Sequence, residues 1–161
     1  MAKIKKNAKG GGGPEISNRK ARFEYQILET VEAGMELKGS EVKSLRLGQA
    51  SLGEAYARID AGKATLHNFQ IQPYEQATHF NHDSKRIKNL LLHRREILKL
   101  EKKVKVKGQT LIPLRVYFNE DGRAKIELAL AIGKKLHDKR QDAKKKQDTR
   151  DMQRAVRRGG L

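Results

Sequence analysis

Apolar residues in this chain recur mostly at every second position in short runs, a pattern that predicts a mainly β protein. Phe23, Tyr25, Ile27 and Val31 mark a strand over 23–32, ended or bent at Ala33-Gly34. Val42 and Leu45, with Arg46 beside them, share one helical face, and Gly48 can cap the end, so a short helix is expected over 40–47. Segments 56–60 and 63–71 flank Ala61-Gly62, which has the turn chemistry of a hairpin. Residues 73–84 are polar and turn-rich and read as a loop, with a buried strand after it over 86–92. Ile97, Leu100 and Val104 then stand at helical spacing, predicting an amphipathic helix over 93–103, and Gly108 breaks the chain beyond it. Two alternating segments, 111–118 and 123–131, surround Asn119-Glu120-Asp121-Gly122 as a second hairpin. In it Leu114, Val116 and Phe118 are expected to face inward with Ile126, Leu128 and Leu130.

About six mostly antiparallel strands with two or three short helices fit an OB-like Greek-key barrel, because closing such a sheet removes its exposed edges. Three regions are expected. Residues 1–17 end in Gly10–Gly13 and Pro14 and read as a flexible basic arm. Residues 18–133 form the barrel, with ordered structure starting near Asn18, and 134–161 form a basic tail.

Charge changes the picture most. The chain carries +17, of which the tail alone holds a net +7, eleven basic against four acidic residues. From 134 to 158 there is neither Gly nor Pro, and the apolar residues are only Leu136, Ala143, Met152, Ala155 and Val156. Such a segment forms helix readily but has little to pack against. It is expected to be disordered when free and ordered by a polyanion. A chain this basic needs an anionic partner, and nucleic acid is the default. Membrane-active helices carry bulky apolar residues on one face, where this tail has Gln, Asp and Thr. With no cysteine, disulfide frameworks and Cys-based zinc sites are excluded. No run approaches the ~18 apolar residues of a membrane span, and MAKIKKNAKG lacks the apolar middle of a signal peptide. A soluble, cytoplasmic protein is expected.

Enzyme templates fail: there is no Walker A loop, no HExxH and no GxGxxG opening a helix after a strand. His79, His82 and Asp83 could ligate a metal, yet a solvated or RNA-facing loop explains them better, and no cofactor is expected. Asn18-Arg19-Lys20-Ala21-Arg22-Phe23 sets basic residues beside an aromatic, which suits phosphate contact with base stacking. An ordinary strand entry with Phe23 in the core suits it equally. Lys125 lies opposite in phase to Ile126 and points out of the sheet. Aromatics are only 5% of the chain and Trp is absent, so recognition of folded RNA by shape and backbone is favoured over a stacking platform.

The strings NRKARFEY (18–25), VEAG (31–34), GSEVKSLR (39–46), KNLLLHRREI (88–97) and GKKLHDKR (133–140) occur in an order and spacing that resembles the SmpB family, the SsrA-binding proteins of bacterial trans-translation. The resemblance covers residues 18–140, with a basic tail after it. It implies an OB-type barrel without catalytic residues. The barrel would bind the tRNA-like domain of tmRNA, at the elbow of D-loop and T-arm, and stand where an anticodon stem would be. Elongation factor Tu would deliver the alanyl-tmRNA complex to ribosomes stalled on messages lacking a stop codon, where the nascent chain is tagged and released.

Carried over by motif, the resemblance assigns tmRNA contact to Glu32, Leu91 and Lys125, and more weakly to Arg19, Lys20 and Arg22. A carboxylate can accept from a base amine or a 2′-hydroxyl, a leucine can pack on base or ribose, and a lysine can pair with phosphate. In the tail it assigns a decoding-centre stack to His137 and ribosomal contact to Asp138, Lys139 and Arg140. Lys144, Lys145 and Lys146 would lie next in the mRNA channel, which is empty only on a truncated message, the tail becoming helical there with Asp142–Lys146 as a supporting pair. The competing expectation is a ribosomal or initiation-type OB protein bound constitutively to rRNA.

Overall fold

The structure, a computed structural model, describes residues 13–77, 81–135, 138, 147–154 and 156. Its nine strands are β1 (Ile16–Ser17), β2 (Tyr25–Met35), β3 (Ala50–Ser51), β4 (Tyr56–Asp60), β5 (Lys63–His67), β6 (Gln70–Ile71), β7 (Lys88–Leu91), β8 (Gln109–Phe118) and β9 (Ala124–Gly133). Interspersed among the strands are the helices α1 (Ala21–Glu24), α2 (Gly39–Arg46) and α3 (Arg94–Val104). The sheet runs β8-β4-β5-β7-β2-β9 and β9 pairs back onto β8, so six antiparallel strands close a ring. This is the expected OB-like barrel. β1 adds to β8, so the sheet takes in two residues ahead of Asn18, and β3 and β6 form a separate pair. No helix among the described residues is long and apolar enough to cross a membrane.

The β8–β9 hairpin forms where alternation was cleanest, but its two faces are divided differently. Leu111, Val116 and Phe118 join Ile126, Leu128 and Leu130 in the barrel interior. Leu114 is buried on the opposite side, with Ile112, Ala129, Ala131 and Ala21. The register slips between Pro113 and Arg115, and one extra residue reverses which side each later side chain faces. β2 carries the same device between Ile27 and Glu29: Tyr25 and Ile27 pack on the outer cluster, whereas Val31, Ala33 and Met35 pack inward. The outer cluster exists because residues 21–24 turn as α1 across the sheet instead of extending β2, with Asn18 Oδ1 accepting from the Ala21 N–H (3.2 Å). At the other end, Ala33-Gly34 neither ends nor bends β2, which runs on to Met35 between β7 and β9.

Helices α2 and α3 begin alike: Glu41 accepts from the Lys38 N–H (2.7 Å) and Glu96 from the His93 N–H (2.9 Å). α2 ends at Gly48, φ +76°, with the Gly48 and Gln49 N–H groups donating to the Leu45 and Ser44 carbonyls. Arg46 lies off the buried face that Leu45 occupies; it is exposed, over the Phe118 ring.

Strand β7 inverts the usual sorting, with Lys88 fully buried and Leu91 61% exposed. Lys88 Nζ donates to the Phe69 carbonyl (2.7 Å) and lies 3.9 Å from buried Glu41. Burial pushes the Lys88 ammonium down to about 8 against the pull of Glu41. Burial also opposes ionisation of Glu41, yet the Arg86 fork (2.7 and 3.1 Å) and the Lys38 N–H outweigh it and hold the carboxyl below the usual carboxylate range. Glu41 faces both cations, so its loss leaves uncompensated buried charge, whereas loss of Lys88 leaves Glu41 its Arg86 fork. Glu41→Gln should therefore cost ~3 kcal/mol in urea unfolding and Lys88→Met less than half of that. Equal losses for the two variants would show that Glu41 does not organise the network.

Candidate nucleic-acid interface

The outward positions of β8, β9, β2 and β7 align in two rows. In one, Tyr117 pairs with Lys125, Lys125 with Gly34, and Gly34 with Leu91. In the other, Arg115 pairs with Glu127 and Glu127 with Glu32. Glu32, Leu91 and Lys125, far apart in the chain, thus meet on one exposed patch.

Two carboxylates directly opposed, Glu32 and Glu127, would repel. Each is instead given cations: Arg115 Nε binds Glu127, with Arg115 Nη1 reaching Glu15 (3.3 Å), and Lys125 Nζ lies 3.2 Å from Glu32. The Tyr117 hydroxyl also donates to Glu32. Tyr117 and then Lys125 hold the Glu32 carboxyl below its ordinary value, while burial and then the bond to Glu32 push Tyr117 up to about 12. Glu32 is kept ionised and oriented, with Lys125 beside it.

Arg19 and Arg22 line a shallow hollow with Ser17, Asn18, Arg115 and Glu127, which carries the basic surface up to the second row. Lys20 is exposed at the start of α1 but does not line that hollow. Phe23 is 47% exposed, so it lies outside the core. His82 is buried: Nε2 donates to the Ile71 carbonyl (3.2 Å), which leaves Nδ1 to accept from Ser40 Oγ (3.0 Å). A histidine satisfied at both nitrogens joins the loop to α2, and no metal-ligating cluster occurs among the described residues; His79 lies outside them. So do His137, Lys139, Arg140, Lys144, Lys145 and Lys146, and the Asp142–Lys146 pair. Asp138 is helical and exposed, and residues 147–154 form an exposed helical segment in which Gln147 Nε2 donates to Asp151 (3.1 Å).

Sequence reasoning did not nominate Tyr117 or Gly34, because only strand pairing brings them beside Lys125 and Leu91. It also passed over α3. Lys99 and Lys103 of that helix converge on Glu29, whose carboxyl they lower to about 2. Arg94, Arg95, Lys102 and Lys107 have no ion-pair partner among the described residues.

A closed OB-like barrel with a basic outer patch and basic extensions defines a small single-barrel nucleic-acid-binding protein. A family model described as SmpB protein matches residues 15–158. An SsrA-binding protein of Desulforudis audaxviator is 58% identical over 140 residues, covering 87% of this chain and 91% of its own. That of Chlorobaculum tepidum is 56% identical over 150 residues, covering 91% and 96%. A chain from a solved structure described as "tmRNA-SmpB: a journey to the center of the bacterial ribosome" is 50% identical, with a TM-score of 0.66 over 77% of this chain and 87% of that one. The chain belongs to the SmpB family, a family of RNA-binding proteins.

The Tyr117 phenol, raised from 10 to about 12 in the fold, binds more protons than the unfolded chain between those values. Its contribution to stability is therefore complete below pH 10 and lost as pH rises through about 12. In Glu32→Gln one of the four tyrosines should ionise at a lower pH, read as near-ultraviolet phenolate absorbance. An unchanged titration curve would remove Glu32 as the partner of Tyr117.

Proposed function

We propose that this chain binds the tRNA-like domain of tmRNA and carries it into stalled ribosomes for trans-translation. The observation that carries the reading is the convergence of Glu32, Leu91 and Lys125 on one exposed patch. Lys125 meets phosphate, Leu91 packs on ribose or base, and Glu32 accepts from a 2′-hydroxyl or base amine. Arg19, Lys20 and Arg22 add phosphate contacts, and Phe23 stands ready to stack. The body then fills the place of an anticodon stem, and elongation factor Tu delivers the alanyl-tmRNA complex.

On the same reading the barrel, 18–133, holds the tmRNA, the arm 1–17 is a tether, and the tail 134–161 reads the ribosome. His137 stacks on a decoding-centre base beside Asp138, Lys139 and Arg140. Lys144, Lys145 and Lys146 track rRNA phosphates along an mRNA channel that is free only when the message is truncated. A folded, polyanion-bound helix and an occupied channel exclude each other, so the tail senses missing mRNA by competing for its space. The protein works in the cytoplasm as an adaptor and not as an enzyme.

Binding to the isolated tRNA-like domain and to an elongator tRNA across a salt series tests the first half. Charge-only binding gives equal affinities falling together, each neutralised phosphate adding ~0.7–0.9 to the log–log slope. A preference of about a hundredfold that survives high salt is expected here, since base and ribose contacts are not screened as phosphate contacts are. Glu32→Ala with Lys125→Ala should weaken that binding without unfolding the barrel. For the second half, deleting 134–161 should leave tRNA-like-domain affinity nearly intact and abolish tagging on stalled ribosomes. Affinity lost by orders of magnitude on truncation would instead make the tail a general electrostatic clamp.

A further inference from the structure

Gly34 sits in β2 between Leu91 of β7 and Lys125 of β9, and its backbone is not in the left-handed region. No turn and no positive φ requires glycine there. In mid-strand it forgoes a side chain that could pack, and such a glycine marks a place where something approaches closely. What approaches is Leu91. A Cβ added at position 34 would lie 3.3 Å from Leu91 Cβ, 3.5 Å from Cδ1 and 3.8 Å from Cγ. Directly opposed residues of antiparallel strands ordinarily hold their Cβ atoms about 4.5–5.5 Å apart. Leu91 thus occupies the space that a side chain at 34 would fill and leans across β2 toward Lys125.

We infer that Gly34 is a positioning residue of the RNA interface. By lacking a side chain it lets Leu91 lie over the β2 backbone, so that the apolar surface of Leu91 and the ammonium of Lys125 form one continuous footprint for an RNA ribose and its phosphate. The inference rests on the tmRNA-binding reading and adds to it the residue that sets the spacing between its apolar and its cationic contact. Leu91 is 61% exposed, so beyond its Cβ, which β7 holds, the side chain can turn aside into solvent. A methyl at 34 therefore moves Leu91 by a few tenths of an ångström and leaves the fold intact. Alanine is compatible with this backbone and restricts the unfolded chain, so it does not lower stability. Stability and affinity are expected to move in opposite directions.

The test uses the full chain and the isolated tRNA-like domain of tmRNA. Gly34→Ala should keep or raise the thermal midpoint and shift the Leu91 methyl resonances of the free protein. It should weaken binding about tenfold without changing the salt slope, since no phosphate contact is lost. In a Leu91→Ala background the same change should cost less than about twofold, because Gly34 acts through Leu91. An unchanged affinity, a midpoint lowered by several degrees, or a full loss persisting in the Leu91→Ala background would each overturn the inference. Unmoved Leu91 methyls would overturn it whatever the RNA result. Failure of the wild-type chain to prefer the tRNA-like domain over elongator tRNA would instead sink the functional reading, and the methyl shift would still report on Gly34.

Discussion

Strand β9 is hydrogen-bonded along nearly its whole length to β2 on one edge and to β8 on the other, and that double pairing closes the barrel. It leaves β9 no free edge and forces its side chains to serve two interiors. Ile126, Leu128 and Leu130 fill the barrel while Ala129 and Ala131 meet α1 outside it. The bulges in β2 and β8 arise from the same demand. Each reverses the phase of its strand, so that one end packs on the outer cluster and the other inward. Beyond the bulges, where α1 no longer covers the sheet, the outward positions are Glu32, Lys125, Tyr117, Arg115 and Glu127.

The patch is electrostatically organised before any ligand arrives. In a chain of net charge +17 a carboxylate pair on the outer face could simply neutralise its surroundings. Here each carboxylate is tied to particular donors, Glu32 to Tyr117 and Lys125, Glu127 to Arg115. Orientation obtained in advance reduces the ordering cost of binding. Surface ion pairs of this kind add little stability, which fits a role in presentation. The stabilising charge lies elsewhere, in the buried contacts among Glu41, Arg86 and Lys88 that join α2 to β7. Lys88 and Leu90 face inward on β7, and Leu91, next in the alternation, faces outward.

Much of this was legible from spacing. The two hairpins, helices α2 and α3 and the Gly48 cap were expected from local chemistry, because turn geometry and helical periodicity depend on residues close in sequence. The strand read over 63–71, however, ends at His67, and Gln70–Ile71 pairs with β3 instead. The strings around Glu32 and Leu91 nominated two residues that the structure brings to one outer patch, and the outward direction of Lys125 came from alternation. Three features of the strands were misread. Leu114 was assigned to the wrong side, because a bulge at Pro113 is created by β9 and by the Asn18 contacts to the carbonyls at 113 and 114, not by the local pattern. Ala33-Gly34 looked like a strand end, since glycine usually breaks a strand and the neighbour that needs its space is Leu91, 57 positions away in sequence. Phe23 and Glu24 were read as the start of a strand, yet they belong to α1, whose Ala21 packs on the small side chains of Ala129 and Ala131.

What the sequence by itself determined is the β-rich plan, the basic extensions and the kinship carried by motifs, all of which rest on near-neighbour periodicity and on charge, and charge does not depend on folding. Only the tertiary structure decided which leucine is core and which is surface. Alternation gives a strand two faces but not the identity of the inner one. In β7 the core took Leu90 together with Lys88, whose acidic partner lies on another element, and Leu91 came to lie beside Gly34 and Lys125.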